Sequence, residues 1–552
     1  EVQKNIRRIE KIFGIQYGES QEKAISEAIR SPLFILTGGP GTGKTTVING
    51  IVNLFAELNG LELDPNKYTQ EIFPILLAAP TGRAAKRMNE TTGLPASTIH
   101  RLLGLNGREK SPSVSTKELE GGLLIIDEMS MVDTWLANTL FKAIPTNMQV
   151  ILVGDKDQLP SVGPGQVLHD LLGIDQIPKV ELNQIYRQGD GSSIIPLAHE
   201  IKEGHLPSDF LQNQKDRSFF RSDAYSIEPL IAKIVEKAKN KGFTAQDIQV
   251  LAPMYRGPAG IDALNKMMQS IFNPGGAGRK EVHWNETVYR IGDKVLQLVN
   301  TPELNVFNGD MGEITGIVLA KDSEDKVDEL VIQFDANEVT YKRNEWNKIT
   351  LSYCCSIHKS QGSEFKMVIL PMVHQYQRML QRNLLYTAVT RSKELLILLG
   401  EEQAYVTCVA NESASRMTTL KKRIEENDSM SLVTRTKLVA YEDSLVGNDP
   451  FEEGNYTKAG ETAHSVKTET SQQATQENVV DSTEGNVGDD LFTLSVEQDT
   501  TETAVESKVM EEAPTEQLPK TYILTTEAIE KQWIDPMIGM EQEAVKEAFS
   551  SE

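Results

Sequence analysis

The sequence has few cysteines and lacks long apolar runs. Its three cysteines, Cys354, Cys355 and Cys408, are an odd number without C-x-x-C spacing, which argues against a disulfide framework or a zinc site. No run approaches the roughly 18 apolar residues that a membrane helix needs, and no signal peptide pattern is visible. We therefore predict a cytoplasmic protein in a reducing compartment, with no membrane partner. The chain begins at Glu1 rather than methionine, inside a helical pattern, so we expect its natural N-terminal region to be missing.

Positive charge is scarce in only one part of the chain. The formal net charge is −23, but residues 425–552 contain 29 acidic and 8 basic residues, so the rest is nearly neutral. A neutral body can carry local basic patches that bind nucleic acid. The acidic segment is rich in Thr, Ser, Gln and Glu, which predicts a disordered tail to about residue 519. The last stretch is more apolar, and two interpretations stay open: a docking segment for a protein partner, or a solvated tail.

The strongest local pattern is LFILTGGPGTGKTT at 33–46, an apolar strand that runs into a glycine-rich turn. It fits the template G-x-x-x-x-G-K-[ST], in which backbone N–H groups wrap a triphosphate, the lysine reaches the β- and γ-phosphates and the hydroxyl binds Mg²⁺. Apolar residues at helical spacing follow at 46–58, so a helix N-terminus would point at the phosphates. We predict an ATP site formed by Gly39, Pro40, Gly41, Thr42, Gly43, Lys44, Thr45 and Thr46.

A second part of this site is predicted in LLIIDEMS at 123–130. The apolar strand ends in Asp127 and Glu128, and buried strands rarely end in two adjacent acids without a cation to balance them. We predict that Asp127 joins Thr45 in holding Mg²⁺, and that Glu128 orients and deprotonates the water that attacks the γ-phosphate. Lys44, Asp127 and Glu128 are therefore predicted catalytic residues.

Gln21 stands at the predicted start of a helix, just upstream of the first strand. Its side chain carries both a donor and an acceptor, which complement the N6 and N7 edge of adenine. We predict that Gln21 binds the adenine base. A surface glutamine without a ligand is the alternative that this residue alone leaves open.

Two further loops carry hydroxyl and basic residues after apolar strands. The segment PILLAAPTGRAAKRM at 74–88 breaks at Pro80 and Thr81, and Thr98, His100 and Arg101 follow later. Hydroxyls, backbone N–H groups and basic side chains at the ends of parallel strands suit contacts to a phosphate backbone. These residues are candidate DNA contacts, and an ordinary strand–helix unit with a solvated basic face is the equal alternative.

Eight segments, taken together, resemble the motif series of a superfamily 1 DNA helicase. They are GGPGTGKTT, APTGRAA, STIHRLLG, IIDEMSMVD, VGDKDQLPSVGPGQVL, QIYRQ, SIHKSQGSEF and LLYTAVTRSKE, in this order, and the resemblance covers residue 21 to about residue 400. The series is most similar to the RecD-like branch, in particular its long stand-alone bacterial type, and a chance match to all eight segments is negligible. Cys354 and Cys355 stand where this family commonly has small residues, and we interpret them as core strand residues rather than a redox site.

The resemblance implies roles for residues of the later segments. Gln158 would sense the γ-phosphate, Tyr186 would stack on adenine, and Arg187 and Arg391 would act as arginine fingers. A guanidinium fork can contact several phosphate oxygens and neutralise charge in the transition state. A structural salt bridge is the alternative for either arginine.

The segment SIHKSQGSEF resembles a part of the family that lies near both ligands. His358, Lys359 and Ser360 match the residues that contact the DNA backbone. Gly362 and Glu364 lie in the part expected near the nucleotide.

The resemblance and the strand patterns together imply an α/β protein with two RecA-like P-loop NTPase domains built on parallel sheets. Short strands separated by Gly, Asn and Asp turns indicate a small β-barrel, and the family implies an SH3-like barrel inserted in the second domain. Of its aromatic residues Trp284 and Tyr289, at least one is expected to pack in the barrel core rather than on DNA. The predicted boundaries are 1–178 for the first domain, with a small insertion at 104–122; 179–273 and 348–424 for the second; 274–347 for the barrel; and 425–552 for the acidic, mostly disordered tail.

Two classes of function remain. The resemblance implies an ATP-dependent DNA helicase and translocase that moves 5′ to 3′ on single-stranded DNA, unwinds duplex DNA bearing a 5′ tail, and serves DNA repair or recombination. The alternative is a P-loop ATPase that acts as a switch or subunit in a multi-protein DNA-processing complex. A relaxase or nuclease fusion is disfavoured, because the eight histidines include no H-x-H pair and no three-histidine cluster.

Overall fold

The computed structural model describes residues 1–105, 117–185, 192–335, 337–426 and 522–523. Within these ranges no helix is long and apolar enough to cross a membrane. Tyr186, Arg187, most of the predicted insertion at 104–122 and nearly all of the predicted tail at 425–552 lie outside them. What the sequence predicts for these residues therefore stays a prediction.

Lobe 1 (residues 1–182) is built on one parallel sheet. Its strands are β1 (Leu33–Gly38), β2 (Ile75–Ala79), β3 (Ala96–Thr98), β4 (Leu123–Ile126), β5 (Gln149–Gly154) and β6 (Lys179–Leu182). Their order across the sheet is β3-β2-β4-β5-β1-β6. Central strands such as β4 are continuous apolar runs, because helices cover both faces of a parallel sheet. Since β6 pairs with β1, this sheet extends past the predicted domain boundary at residue 178.

The helices of lobe 1 lie on both faces of its sheet. They are α1 (Val2–Phe13), α2 (Glu19–Arg30), α3 (Lys44–Asn59), α4 (Gly82–Thr92), α5 (Ile99–Leu102), α6 (Thr134–Ala143) and α7 (Val167–Leu172). Helices α1 to α4 pack on one face, where Ile25 and Ile51 are part of the core. Helices α5 to α7 pack on the other face through residues such as Leu136 and Leu168. The carboxyl ends of all six strands therefore share one edge, which is where such sheets bind ligands.

Lobe 2 (residues 192–273 and 352–410) contains a second parallel sheet. Its strands are β7 (Arg217–Arg221), β8 (Ile248–Leu251), β16 (Cys354–Cys355), β17 (Phe365–Met372) and β18 (Ser392–Gly400), with β19 (Tyr522–Ile523) added beside β7. Its helices are α8 (Ile194–Lys202), α9 (Ile227–Asn240), α10 (Ile261–Phe272), α11 (Arg382–Val389) and α12 (Glu402–Ala410). The strand order is β16-β8-β17-β18-β7-β19. Cys354 and Cys355 are buried in β16, which confirms their interpretation as core strand residues.

The insert (residues 274–351) interrupts lobe 2 between α10 and β16. Its strands are β9 (Glu281–Trp284), β10 (Thr287–Arg290), β11 (Lys294–Gln297), β12 (Met311–Val318), β13 (Glu329–Phe334), β14 (Glu338–Lys342) and β15 (Ile349–Leu351). Strands β9 and β10 form a hairpin, and the other five form an antiparallel sheet in the order β14-β13-β12-β11-β15. Tyr289 is buried in the core, as expected for at least one aromatic, and Trp284 packs edge-on against Trp346. The predicted fold class, an α/β protein with two parallel sheets and a small β domain inserted in the second, is confirmed.

After α12 the chain returns to lobe 1. The guanidinium of Arg416 donates to the carbonyl oxygens of Ser161, Gly163 and Gly165, each at 2.7 Å. Helix α13 (Leu420–Glu425) follows and lies against lobe 1 through Leu420. The segment that leaves lobe 2 is therefore fastened to the loop that follows β5.

Candidate nucleotide and DNA sites

The turn between β1 and α3 forms a tight loop. Gly41 and Gly43 have positive φ angles of 73° and 82°, which glycine adopts without strain. The Lys44 ammonium donates to the carbonyl oxygens of Gly38 and Gly39 at 2.5 and 3.1 Å. It therefore lies against the same loop whose backbone N–H groups and helix N-terminus suit an anion. All the predicted loop residues lie between the end of β1 and the first turn of α3: Gly39, Pro40, Gly41, Thr42, Gly43, Lys44, Thr45 and Thr46.

Asp127 and Glu128 follow directly after β4. The backbone N–H of Glu128 donates to the Asp127 carboxylate at 2.7 Å, and Glu128 has a φ of 56°, which is uncommon for a residue with a side chain. Burial and the neighbouring Glu128 raise the pKa of Asp127 above its usual range. Burial also acts to raise the pKa of Glu128, but the charges of Arg87, Arg391 and Lys44 outweigh it and lower that pKa. Glu128 is therefore held as a carboxylate anion, and a cation would stabilise the ionised form of the neighbouring Asp127.

The donor set at this edge fits Mg²⁺, which takes oxygen ligands from one or two carboxylates together with substrate phosphates. The Thr45 side chain is exposed at the start of α3, and Asp127 is half-buried at the end of β4. In the described part of the chain no group of three or more His, Cys, Asp and Glu side chains is arranged to hold a metal ion. A cation beside Asp127 would offset the burial and the repulsion that raise its pKa. Thr45 and Asp127 are the residues that would hold the ion.

The loop after β5 is joined to lobe 2 through Leu159. The Leu159 backbone N–H donates to the Thr387 hydroxyl at 2.9 Å, and its carbonyl oxygen accepts a hydrogen bond from the Gln361 side chain at 3.0 Å. Beside it, the Gln158 Oε1 atom is buried and has no hydrogen-bond partner among the described residues. Buried polar atoms are usually paired, so this oxygen is available to a ligand or a water molecule at the junction of the lobes.

Arg391 lies on the side of lobe 2 that faces Glu128. Its side chain is almost fully buried, and Nε and a terminal nitrogen donate to the carbonyl oxygens of Thr387 and Ser363 at 3.2 and 2.9 Å. Burial lowers the pKa of the Arg391 guanidinium, and attraction to Glu128 opposes that shift. A guanidinium stays charged in proteins even so. Neutral groups therefore orient this cation, which leaves its charge directed at the cleft between the lobes.

Arg87 of α4 is a site residue that the sequence did not reveal. One terminal nitrogen lies 2.7 Å from Glu128 Oε1, and the other lies 2.9 Å from Glu364 Oε1. Gly362, two residues before Glu364, also lies close to lobe 1: a Cβ at its position would be 2.5 Å from the Thr81 hydroxyl oxygen. The two lobes therefore meet along α4. The basic helix start in the sequence indicated cations here, but a single arginine carries no signature of its distant partners.

Tyr386 is the second residue that sequence reasoning missed. Its hydroxyl donates to the Asp155 carboxylate at 2.6 Å. Gly39 lies so close that a Cβ at its position would be 2.8 Å from the Tyr386 hydroxyl oxygen. A tyrosine of lobe 2 therefore touches both the phosphate loop and the loop after β5. Its place in LLYTAVTR, five residues before Arg391, was the available signal.

Gln21 lies in the first turn of α2. Its Oε1 accepts the backbone N–H of Gly18 at 2.9 Å, and the side chain is buried. The acceptor is thus used by the helix start, while the amide N–H groups remain for a base edge. Its contact with adenine stays a prediction.

Candidate DNA contacts in lobe 1 lie at two helix starts. The hydroxyl of Thr81, the residue after Pro80, accepts a hydrogen bond from the backbone N–H of Ala84 at 3.2 Å. The Thr98 hydroxyl accepts one from the backbone N–H of Arg101, also at 3.2 Å. Each hydroxyl therefore caps a helix, and because both side chains are buried, their contact with a phosphate oxygen stays a prediction. His100 lies in the same short helix, α5.

The insert joins candidate DNA contacts from both lobes. Arg101 of lobe 1 donates to Asn305 at 3.2 Å, and Lys359 of lobe 2 donates to Asn308 at 2.6 Å. Both asparagines belong to one loop of the insert, between β11 and β12. One basic side chain from each lobe therefore contacts the same loop of the insert.

His358 and Ser360 lie on either side of Lys359 in a short 3₁₀ helix. Burial lowers the pKa of His358, which keeps its imidazole neutral near pH 7. Ser360 does not reach the surface: its side chain is fully buried, and its hydroxyl donates to the carbonyl oxygen of Ile357 at 2.7 Å. The tight turn points this hydroxyl back at its own backbone, so the structure places Ser360 away from the predicted DNA contact.

The fold combines two parallel-sheet lobes, the first with a P-loop sequence between β1 and α3, and a small β insert in the second. Three family models match the chain: an AAA domain at 21–164, an ATP-dependent RecD-like DNA helicase SH3 domain at 264–334, and a UvrD-like helicase C-terminal domain at 351–399. The RecBCD enzyme subunit RecD of Mycolicibacterium smegmatis is 30% identical over 453 residues, which are 75% of this chain and 76% of that protein. The chain belongs to the RecD-like family of superfamily 1 DNA helicases.

Two further comparisons describe the reach of this similarity. The ATP-dependent RecD2 DNA helicase of Deinococcus radiodurans is 35% identical over 412 residues, and these cover 74% of this chain. They cover 52% of that protein, so the chain spans about half the length of this relative. The crystal structure of the Pif1 helicase from Bacteroides in complex with ADP-AlF3 and ssDNA is 19% identical with a TM-score of 0.43, covering 75% of this chain and 98% of that one.

Proposed function

We propose that this chain is an ATP-dependent DNA translocase and helicase that moves 5′ to 3′ on single-stranded DNA and serves DNA repair or recombination. Its motor domains, predicted at 1–178 and at 179–273 with 348–424, would be lobe 1 and lobe 2, with β6 assigned to lobe 1. The barrel predicted at 274–347 would be the insert, which also includes β15. Its substrates would be ATP and DNA with a 5′ single-stranded tail. A cytoplasmic location stays the prediction made from the cysteine content.

One observation carries the proposal: groups of both lobes meet at one carboxylate. The Arg87 guanidinium of lobe 1 lies 2.7 Å from Glu128 of lobe 1 and 2.9 Å from Glu364 of lobe 2. The charges of Arg87 and of Arg391 from lobe 2 both lower the pKa of Glu128. A site that needs both lobes can hydrolyse ATP only while the lobes are closed. Closing and reopening of two lobes is the motion that a translocase requires.

The side chains divide the chemistry between them. Lys44 and the loop N–H groups would bind the phosphates, Gln158 would contact the γ-phosphate, and Glu128 would take the proton of the attacking water. Mg²⁺ bound by Thr45 and Asp127 would neutralise phosphate charge. Arg391 would offset the charge that develops on the γ-phosphoryl group.

The DNA path is proposed along the surface where the lobes meet the insert. Arg101 and Lys359 lie at this surface, and they would contact phosphates. Asn305 and Asn308 would be released from the two basic residues when a strand enters. Binding of this kind is sequence-independent and falls with salt.

The test is an unwinding assay with paired duplexes that bear only a 5′ tail or only a 3′ tail. We expect unwinding of the 5′-tailed duplex and none of the 3′-tailed one. Glu128→Gln serves as the control in which ATP hydrolysis is strongly reduced. Equal activity on both substrates would refute the direction and leave the ATPase assignment standing.

The second candidate is an ATPase that works as a subunit of a larger DNA-processing assembly. The observation that favours it is the similarity to the RecD protein of Mycolicibacterium smegmatis, which is a subunit of the RecBCD enzyme. DNA-stimulated ATP hydrolysis by the isolated chain separates the two proposals. We expect stimulation by single-stranded DNA without any added protein.

A further inference from the structure

We propose that Arg87 is a positioning residue for Glu128, and that Glu364 makes this positioning depend on contact between the lobes. The inference rests on the proposed ATPase function and deepens it, because it names the group that orients the water-activating carboxylate. Arg87 itself would touch neither the nucleotide nor the attacking water.

The geometry of the guanidinium is the first support. Arg87 uses its two terminal nitrogens on two different carboxylates, Glu128 of lobe 1 at 2.7 Å and Glu364 of lobe 2 at 2.9 Å. The planar fork of arginine fixes the angle between two such bonds, which a flexible lysine ammonium does not. Arg87 therefore sets the direction of the Glu128 side chain and ties it to the opposite lobe.

The state of Glu128 is the second support. Its backbone has a φ of 56°, so the residue is held in a conformation that L-residues adopt only at some cost. The bond to Arg87 engages Oε1, so Oε2 remains to accept a proton. The side chain is only 12% exposed, and Arg87 is its hydrogen-bonding anchor in the described part of the chain.

The surrounding charges show what else could orient Glu128. Lys44 and Arg391 attract it, and Asp127 repels it. Lys44 donates to loop carbonyl oxygens and Arg391 donates to carbonyl oxygens of lobe 2, so both cations are occupied by other partners. Arg87 is the cation that bonds to Glu128 directly.

The helix that carries Arg87 also connects it to the DNA surface. Thr81, a candidate DNA contact, caps α4, and a Cβ on Gly82 would lie 2.8 Å from the Asp310 carboxylate of the insert. Arg87 lies about one and a half turns further along the same helix. A shift of α4 on DNA binding would therefore move the guanidinium relative to both carboxylates.

Steady-state kinetics of the full chain, with saturating oligo-dT as the DNA, tests this positioning role. We expect Arg87→Ala to lower kcat for ATP by about 10- to 100-fold while the KM for ATP stays nearly constant, because the variant misplaces a group rather than removing a phosphate ligand. Arg87→Lys should recover part of the loss, since lysine can bond to one carboxylate at a time. Lys86→Ala is the matched control, because Lys86 lies on the same helix but pairs with Asp335 at 3.2 Å.

A double-variant cycle provides the readout that a merely structural role would not move. In a Glu128→Gln background, Arg87→Ala should lower the residual rate by no more than about twofold, because groups that act through one another are not additive. An equal fall in both backgrounds would overturn the proposal, as would an unchanged kcat. If Arg87→Ala fails to fold, Glu364→Gln takes its place and should lower kcat without changing the Glu128→Gln rate. A wild-type chain without any ATPase activity would refute the proposed function instead.

Discussion

The two faces of the nucleotide cleft are built differently. The face of lobe 1 is open: among the described residues Lys44 donates to carbonyl oxygens of its own loop, and the Thr45 side chain is exposed. The face of lobe 2 is closed, because Arg391 and Tyr386 are almost fully buried and already bonded. Lys44 and Thr45, which would bind the incoming nucleotide, are accessible. Arg391 and Tyr386, which would need a fixed orientation, are held by hydrogen bonds to their neighbours.

This difference predicts different kinetic roles for the two lobes. Lobe 1 would supply most of the binding energy for ATP, and lobe 2 would act mainly in the transition state, where pre-oriented cations are most effective. Variants of the lobe 1 face should therefore weaken ATP binding, and variants of the lobe 2 face should mainly lower the rate of turnover.

The largest effect is expected on the lobe 1 face. Lys44→Ala should abolish measurable ATP hydrolysis and weaken nucleotide binding, because it removes the counter-charge of the phosphates, a change of about 1000-fold or more in rate. Asp127→Ala should abolish hydrolysis as well, since it removes the carboxylate that would hold Mg²⁺. Steady-state ATPase assays and titration with a fluorescent ATP analogue measure the two quantities.

Glu128→Gln is the matched variant within the same face. It keeps the size and the hydrogen-bonding capacity of the side chain, so nucleotide should bind and remain unhydrolysed, with turnover lowered by about 100- to 10,000-fold. Near-normal turnover would show that Glu128 does not activate water.

The second effect is expected on the lobe 2 face. Arg391→Ala should lower kcat by about 1000-fold or more, while binding of the ATP analogue changes little, because this cation acts on charge that develops in the transition state. Arg391→Lys should not restore the rate, since one ammonium cannot replace both the fork and its bonds to Thr387 and Ser363. Loss of binding equal to the loss of turnover would remove the division of labour between the lobes.

How far the sequence could predict this site depends on how local each feature is. The phosphate loop and the strand-end acids were predictable, because a strand, a glycine turn and a helix in succession determine their own geometry. Arg87 and Tyr386 were not, since their roles arise only where one lobe meets the other. Ser360 has a different, local explanation: its motif suggested a DNA contact, but a turn in its own segment buries its hydroxyl.

The fold shows the same limit. The two parallel sheets followed from apolar runs alternating with helical patterns, and the antiparallel insert followed from short strands and turn residues. The end of the first sheet was harder, because β6 has the alternating burial of an edge strand and its pairing with β1 is not encoded locally. Only the packed structure assigns such a strand to its sheet.

Lys294 is a second buried basic residue, and unlike Arg391 it lies in the insert. Lys294 at the start of β11 is 1% exposed, and its ammonium donates to the carbonyl oxygens of Ala245 and Ile248 at 3.1 and 3.2 Å and to Gln249 Oε1 at 2.8 Å. It fastens the insert to β8 of lobe 2. Burial, reinforced by the charge of Arg83, lowers the pKa of Lys294 to about 7.

The smallest predicted effect follows from this lysine and concerns stability alone. Between pH 7 and the ordinary lysine pKa of about 10.4, the unfolded chain binds a proton that the folded chain has lost, so the free energy of unfolding should rise with pH, by at most about 1.4 kcal/mol per unit. Lys294→Met removes this titration, so the stability of the wild type relative to the variant should increase from pH 7.5 to 9.5. Urea unfolding of both proteins across this range measures the difference, and Lys342→Met, at an exposed salt bridge of the same insert, is the control. If the difference in free energy of unfolding between the two proteins stayed constant with pH, Lys294 would remain protonated in the folded chain. We expect Lys294→Met to keep its DNA-stimulated ATPase activity, because this lysine stabilises the insert and does not belong to the cleft.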